Sequence, residues 1–159
     1  MSDTPDRDAL LQRLQATLDA MPPVAAMGIR IAGYADGTLR LRAPLAANVN
    51  DKGNAFGGSL CSLMTIAGWG LAFLQLAEAG LDADIYVADS RIRYLKPVYE
   101  DLVAQARLET AGEEGADALD LTATLRAQGR VGFRVNARTV LTDGASAAVL
   151  GGRYVAIAR

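Results

Sequence analysis

The sequence contains no histidine. That absence removes every site built on imidazole: Ser-His-Asp and Cys-His nucleophile systems, the histidine-plus-carboxylate chemistry of dehydratases, and histidine-held metals. There is one cysteine, Cys61, so neither an intrachain disulfide nor a thiolate cluster can form. Cys61 reads as an apolar packing residue, in keeping with a reducing compartment, and no metal is expected. A basic excess is lacking too: 16 lysines and arginines against 18 acids leave a net charge of −2, which argues against nucleic acid as a partner. The start of the chain, Met1 to Asp8, lacks the basic and apolar stretches of a secretory signal, and a cytoplasmic protein is expected.

What is present suits one globular domain spanning 1–159, with 51% hydrophobic and 21% charged residues and no repeat or linker. An N-terminal helix is expected within 1–23. Thr4 followed by Pro5 reads as its start, Leu10, Leu11, Leu14, Leu18 and Met21 recur at helical spacing, and Pro22-Pro23 end it. Met27 to Tyr34 and Thr38 to Leu45 read as a hairpin around Ala35-Asp36-Gly37, with Leu39, Leu41 and Ala43 on a dry face and Arg40 and Arg42 on a wet one.

No charge falls between Lys52 and Glu78. Leu60 to Ala77 is nearly long enough for a membrane span of ~20 residues, which makes a membrane-associated protein one rival reading. Gly68 and Gly70 dilute the run, its flanks carry no Arg/Lys cluster, and the chain beyond it alternates like sheet. A helix over 58–79, buried at the centre of the fold without membrane insertion, is the expectation. Strands are then expected over Asp84 to Tyr94, Leu102 to Leu108, Leu119 to Ala127, Val131 to Leu141 and Val149 to Ile157, with turns at Gly112 to Gly115 and Gln128-Gly129. The result is an α+β architecture of antiparallel sheet wrapped around a central apolar helix, which is the hot-dog layout.

The segment 46–58 before that helix contains Asn48-Val49-Asn50-Asp51-Lys52-Gly53-Asn54-Ala55-Phe56-Gly57-Gly58. Here the sequence resembles the hot-dog thioesterases, specifically the group related to the YiiD C-terminal domain. Many hot-dog thioesterases carry Asn-x-x-Gly-x-x-His-Gly-Gly at this place; Asn50, Gly53, Gly57 and Gly58 match, and Phe56 replaces the histidine. The Phe-Gly-Gly form and a following pair like Gly68-Trp69 fit the YiiD-type group. The resemblance covers about Met21 to Val98 well and the later strands by pattern only.

Physically, two glycines at a helix start let a ligand reach bare backbone N–H groups at the positive end of the helix dipole. Gly57 and Gly58 either polarise a thioester carbonyl there or merely allow a tight turn. The resemblance implies a water-directing side chain one helical stretch on, where Thr65 stands; its hydroxyl either orients water or bonds back to its own helix. Asn50 either holds the thioester or water, or closes an Asx turn. Asp89 is a candidate base, and a salt bridge at the strand edge is its plainer reading; Asp51 ranks lower. Phe56 is expected to line an acyl tunnel, with Ser59, Asp89 and Tyr94 as further substrate-contacting positions.

From Arg126 onward there are six arginines and one acid, Asp143. These read either as solvated strand faces or as attraction for the phosphates of coenzyme A or for an acidic acyl carrier protein. The implied activity is hydrolysis of an acyl-CoA or acyl-carrier-protein thioester. No separate cofactor is expected, since coenzyme A or phosphopantetheine enters as part of the substrate. A homodimer or higher homo-oligomer is expected, with sites at the shared interface. The rival from another class is a non-catalytic acyl or coenzyme A binding module.

Overall fold

The structure is a computed structural model and describes residues 5–109 and 120–159. Its elements run α1 (Arg7–Asp19), α2 (Pro22–Met27), β1 (Arg30–Ala35), β2 (Thr38–Ala43), a 3-10 turn (Leu45–Ala47), α3 (Gly57–Glu78), β3 (Ala83–Tyr94), β4 (Leu102–Leu108), α4 (Leu121–Gln128), β5 (Arg130–Val140) and β6 (Ser146–Ala158). The six strands form one antiparallel sheet in the order β1-β2-β4-β5-β6-β3. The sheet closes around α3 in the hot-dog arrangement.

Alternation sets the two faces of the sheet. Leu39 and Leu41 of β2, Leu102, Ala104 and Ala106 of β4, and Val131, Phe133 and Val135 of β5 are buried on the inner face against α3. Their neighbours point outward, as a period of two requires. The hairpin turns on Asp36 and Gly37, both at positive φ (51° and 68°), a mirror-image turn whose twist matches that of the strands and which glycine adopts without strain.

The central helix is long and apolar enough to cross a membrane, yet Leu60, Leu63, Met64, Ala67, Leu71 and Leu74 are all buried inside this fold. Close approach to its neighbours depends on missing side chains. A Cβ on Gly70 would lie 2.9 Å from Leu39 and 3.4 Å from Leu14, and one on Gly68 would lie 2.5 Å from the Tyr154 hydroxyl. Trp69 ties α3 to β3, donating its indole N–H to the Ile85 carbonyl at 3.1 Å.

Several expectations need correction. The expected strand from Leu119 to Ala127 is, over the described residues, the helix α4. The Asp120 side chain accepts from the Ala123 amide at 3.0 Å, Gly129 ends the helix in a left-handed conformation, and the buried Leu121 and Leu125 share one face. Leu119 itself and the expected turn at Gly112 to Gly115 lie outside the described residues, as does Thr4. The first helix is capped by Asp6 rather than Thr4. Pro22-Pro23 do more than end it: they open α2 at the position where a missing N–H costs nothing, and β1 therefore starts at Arg30 rather than Met27.

Candidate functional site

The loop before α3 is held by its own asparagines. The Asn50 Oδ1 accepts from the Lys52 amide at 2.8 Å and the Asn54 amide at 3.2 Å, and its Nδ2 donates to the Asn54 Oδ1 at 2.7 Å. This is an Asx turn with the whole amide engaged, so Asn50 shapes the loop. Gly53 lies at φ +84° inside it. Asn48, which motif reading passed over, is 3% exposed and donates to the Met27 and Pro44 carbonyls at 2.9 and 2.8 Å. Its own carbonyl accepts from the Phe56 amide at 2.7 Å. Asn48 thus fixes the entry to the helix from behind; burial was the missing signal, and a single sequence does not display it.

The start of α3 differs from those of α1 and α4, which are capped by Asp6 and Asp120. At α3 the capping position holds Phe56, which supplies no side-chain hydrogen bond. The first inward bonds come from Ser59 and Leu60, both to the Phe56 carbonyl. Among the described residues, the N–H groups of Gly57 and Gly58 therefore have no partner. They are orphan donors at the positive end of a 22-residue helix. The Phe56 ring lies over Gly58, within 2.4 Å of where a Cβ would stand.

On the other side, the Tyr94 ring stands at ordinary contact distance from Gly57, and its hydroxyl donates to the Gly57 carbonyl at 3.1 Å. Burial and then the neighbouring Cys61 push the Tyr94 hydroxyl above its ordinary pKa, so it remains a donor at neutral pH. Phe56 and Tyr94 are each 56% exposed and Tyr99 is 66% exposed. Val49 and Leu95 are exposed beside them, giving the helix start an apolar rim. Ser59 is buried in the first turn.

Thr65 lies two turns along the same helix. Its hydroxyl donates to the Cys61 carbonyl at 2.8 Å, while its own carbonyl accepts from the buried Tyr154 hydroxyl at 2.8 Å. The hydroxyl keeps its lone pairs and can accept from a water; it cannot remove a proton from one. Asp89 is not brought to the helix start of its own protomer. It sits on the outer face of β3 beside a bulge, gripped by Arg153 through Nε at 2.9 Å and Nη2 at 2.6 Å. Asp51 pairs with Lys52 in an exposed contact at 2.9 Å.

Comparison with known proteins agrees with the fold. The family described as "Putative thioesterase (yiiD_Cterm)" matches residues 11–158. A crystal structure described as the putative thioesterase from Shewanella oneidensis is 32% identical, covers 94% of this chain and 99% of that one, and superposes with a TM-score of 0.82. A Chlorobaculum tepidum protein of unknown function is 25% identical over 99% of this chain and 100% of its own, with a TM-score of 0.83. A putative esterase of Halobacterium salinarum is 28% identical over 144 residues, covering 82% of this chain and 95% of the relative.

Proposed function

The chain belongs to the family described as "Putative thioesterase (yiiD_Cterm)", and on that footing we propose that it hydrolyses an acyl thioester carried by coenzyme A or by an acyl carrier protein. The observation that carries this reading is the uncapped pair of N–H groups at Gly57 and Gly58. A thioester carbonyl accepting from them is polarised, and the oxyanion formed when water adds to the carbon is stabilised by the same donors. In such sites one donor is worth about 3 kcal/mol. Collapse of that intermediate breaks the carbon–sulfur bond and releases the acid and the thiol. Phe56 and Tyr94 flank the acyl chain, Thr65 orients the water by accepting one of its hydrogens, and Asn50 acts through the loop it closes.

One protomer does not complete this arrangement. Eight residues separate Gly57 from Thr65, which at 1.5 Å per residue is roughly 12 Å along the helix, too far for one water to serve both. A homodimer supplies the answer. Among the described residues β3 is an edge strand whose one strand partner is β6, and it exposes Tyr86, Val87 and Tyr94, a surface of the kind that pairs with a second copy. With two copies related by a twofold axis, the glycines of one helix meet Thr65 of the other.

The second reading, a non-catalytic acyl or coenzyme A binding module, is favoured by one observation: among the described residues no carboxylate hydrogen-bonds to Gly57, Gly58 or Thr65. Hydrolysis assays over a chain-length series on both carriers separate the two. Release of free thiol supports the enzyme, and saturable binding without release supports the module. The expected setting is the cytoplasm.

A further inference from the structure

Two rings flank the start of α3, and they are held differently. Tyr94 is pinned through its hydroxyl to the Gly57 carbonyl. The main chain of Phe56 is fixed on both sides, its N–H donating to the Asn48 carbonyl at 2.7 Å and its carbonyl accepting from Ser59 and Leu60 at 2.9 and 3.1 Å. Its ring is not: the side chain is 56% exposed and has no polar atom to tether it. Rotation of an exposed side chain between rotamers takes picoseconds to nanoseconds and needs no movement of the backbone.

The ring rests in a particular place. At the starts of α1 and α4 the residue in the capping position turns its side chain over the first turn, where Asp6 accepts from the Asp8 amide at 3.2 Å and Asp120 from the Ala123 amide at 3.0 Å. Phe56 does the same with a ring in place of a carboxylate. Its Cζ and Cδ1 lie 2.9 and 3.2 Å from where a Cβ on Gly58 would stand, and Cε1 lies closer still. A Cβ is two bonds from its own amide nitrogen, so the ring covers one side of the Gly58 N–H. The gap left by the missing side chain is filled by Phe56, and a carbonyl can enter it only after the ring has left.

We propose that Phe56 is a gate over the amide donors and selects substrates by their acyl chain. The proposal rests on the thioesterase reading of the helix start. With the site empty the ring lies on Gly58 and keeps water from one side of the donor pair; an incoming thioester displaces it by side-chain rotation alone. Displacement uncovers the apolar faces of the ring and of Gly58, and the ligand bears that cost as a reduced apparent affinity. A long acyl chain offsets it by covering the displaced ring, whereas an acetyl group leaves the ring in water. Tyr94, tethered at Gly57, is the fixed wall of the same entrance.

NMR of the full chain with isotope-labelled phenylalanine rings tests this. There are three phenylalanines, and Phe73 and Phe133, stacked on Trp69 and Tyr154, serve as internal references. The probes are pantetheine ketone analogues with a methylene between sulfur and carbonyl, which keep the carbonyl, resist hydrolysis and carry the arm common to coenzyme A and acyl carrier protein. In the free protein the Phe56 ring is expected to give a nuclear Overhauser contact to the Gly58 α-protons. Saturation with a lauroyl-length analogue abolishes that contact and shifts the Phe56 signals, while the reference rings stay in place. Gly58→Ala, whose methyl takes the resting place of the ring, shows displaced Phe56 signals without ligand. Phe56→Ala binds the acetyl-length analogue about threefold or more tighter than wild type and the lauroyl-length analogue more weakly, a crossing that loss of a wall contact does not produce. The gate alone is overturned by absence of the contact in the free protein, by its survival in the ligand-bound protein, by wild-type Phe56 signals in Gly58→Ala, or by an effect of Phe56→Ala of the same sign on both analogues. Failure of every analogue to bind overturns the gate together with the thioesterase reading.

Discussion

The Tyr94 hydroxyl donates to the Gly57 carbonyl at 3.1 Å, joining the last residue of an edge strand to the first residue of the central helix. The bond ties the helix start to β3, so the orientation of the two free amides depends on a strand thirty-seven residues away. Tyr94→Phe keeps the ring and loses the donor. A net hydrogen bond of about 1 kcal/mol corresponds to roughly a fivefold fall in kcat/KM, and Tyr94→Ala, which also removes the ring contact, lowers it further. Steady-state kinetics of the two variants on one thioester check the order.

Thr65 touches only the water in this account, and water placement counts chiefly in the transition state. Thr65→Ala therefore lowers kcat more than it raises KM, while Thr65→Ser, which keeps the hydroxyl, recovers most of the rate. A pure KM effect in the alanine variant would make Thr65 a packing residue.

Sharing of the site between copies gives a complementation result. Gly58→Val and Thr65→Ala each lose most of their activity alone. Mixed and allowed to exchange subunits, they form dimers in which one of the two sites holds an unaltered glycine pair and an unaltered Thr65. Statistical mixing then restores about a quarter of wild-type activity. No recovery despite proven exchange would place both residues of a site in one chain. Sedimentation at micromolar concentration checks the assembly itself, and a stable, active monomer would contradict it.

The stacked pair Phe133 and Tyr154, with ring centroids 5.6 Å apart, fills the space that Gly68 leaves open. A Cβ at 68 would stand 2.5 Å from the Tyr154 hydroxyl and 3.1 Å from Val135. Gly68→Ala gains about 1 kcal/mol in helix propensity and loses more to overpacking, typically ~1–3 kcal/mol. Net destabilisation is expected. Tyr154→Phe removes the clashing oxygen, so the double variant is more stable than the sum of the singles implies. Urea unfolding of the four proteins measures this coupling.

The parts of this fold that could be read from sequence are those set by local chemistry. Absence of charge from Lys52 to Glu78 marks the buried helix, and Asp36-Gly37 marks the hairpin. The error at α4 is instructive because Leu119, Leu121, Ala123 and Leu125 satisfy a period of two, while Leu121 and Leu125 also satisfy a helical one. Asp120 and Gly129, a cap and a stop at helical distance, decided between them. The pairing of β3 with β6 has no local signal.

The same division holds at the site. Gly57-Gly58 announces a helix start by composition. The engagement of Asn50 within its loop, the burial of Asn48 and the grip of Arg153 on Asp89 depend on where distant segments meet.

The most direct test is release of free thiol from acyl-CoA and acyl-carrier-protein substrates, compared between the wild-type chain and Gly58→Val. The side chain introduced at 58 displaces the exposed Phe56 ring, a flexible neighbour, and crowds the amide donors; the fold is expected to persist. The account predicts turnover by the wild type on at least one carrier, a loss of about a hundredfold or more in kcat for the variant, and unfolding midpoints within a few degrees of each other. Substrate binding by the wild type with no thiol released, or near-normal turnover by Gly58→Val, would contradict it.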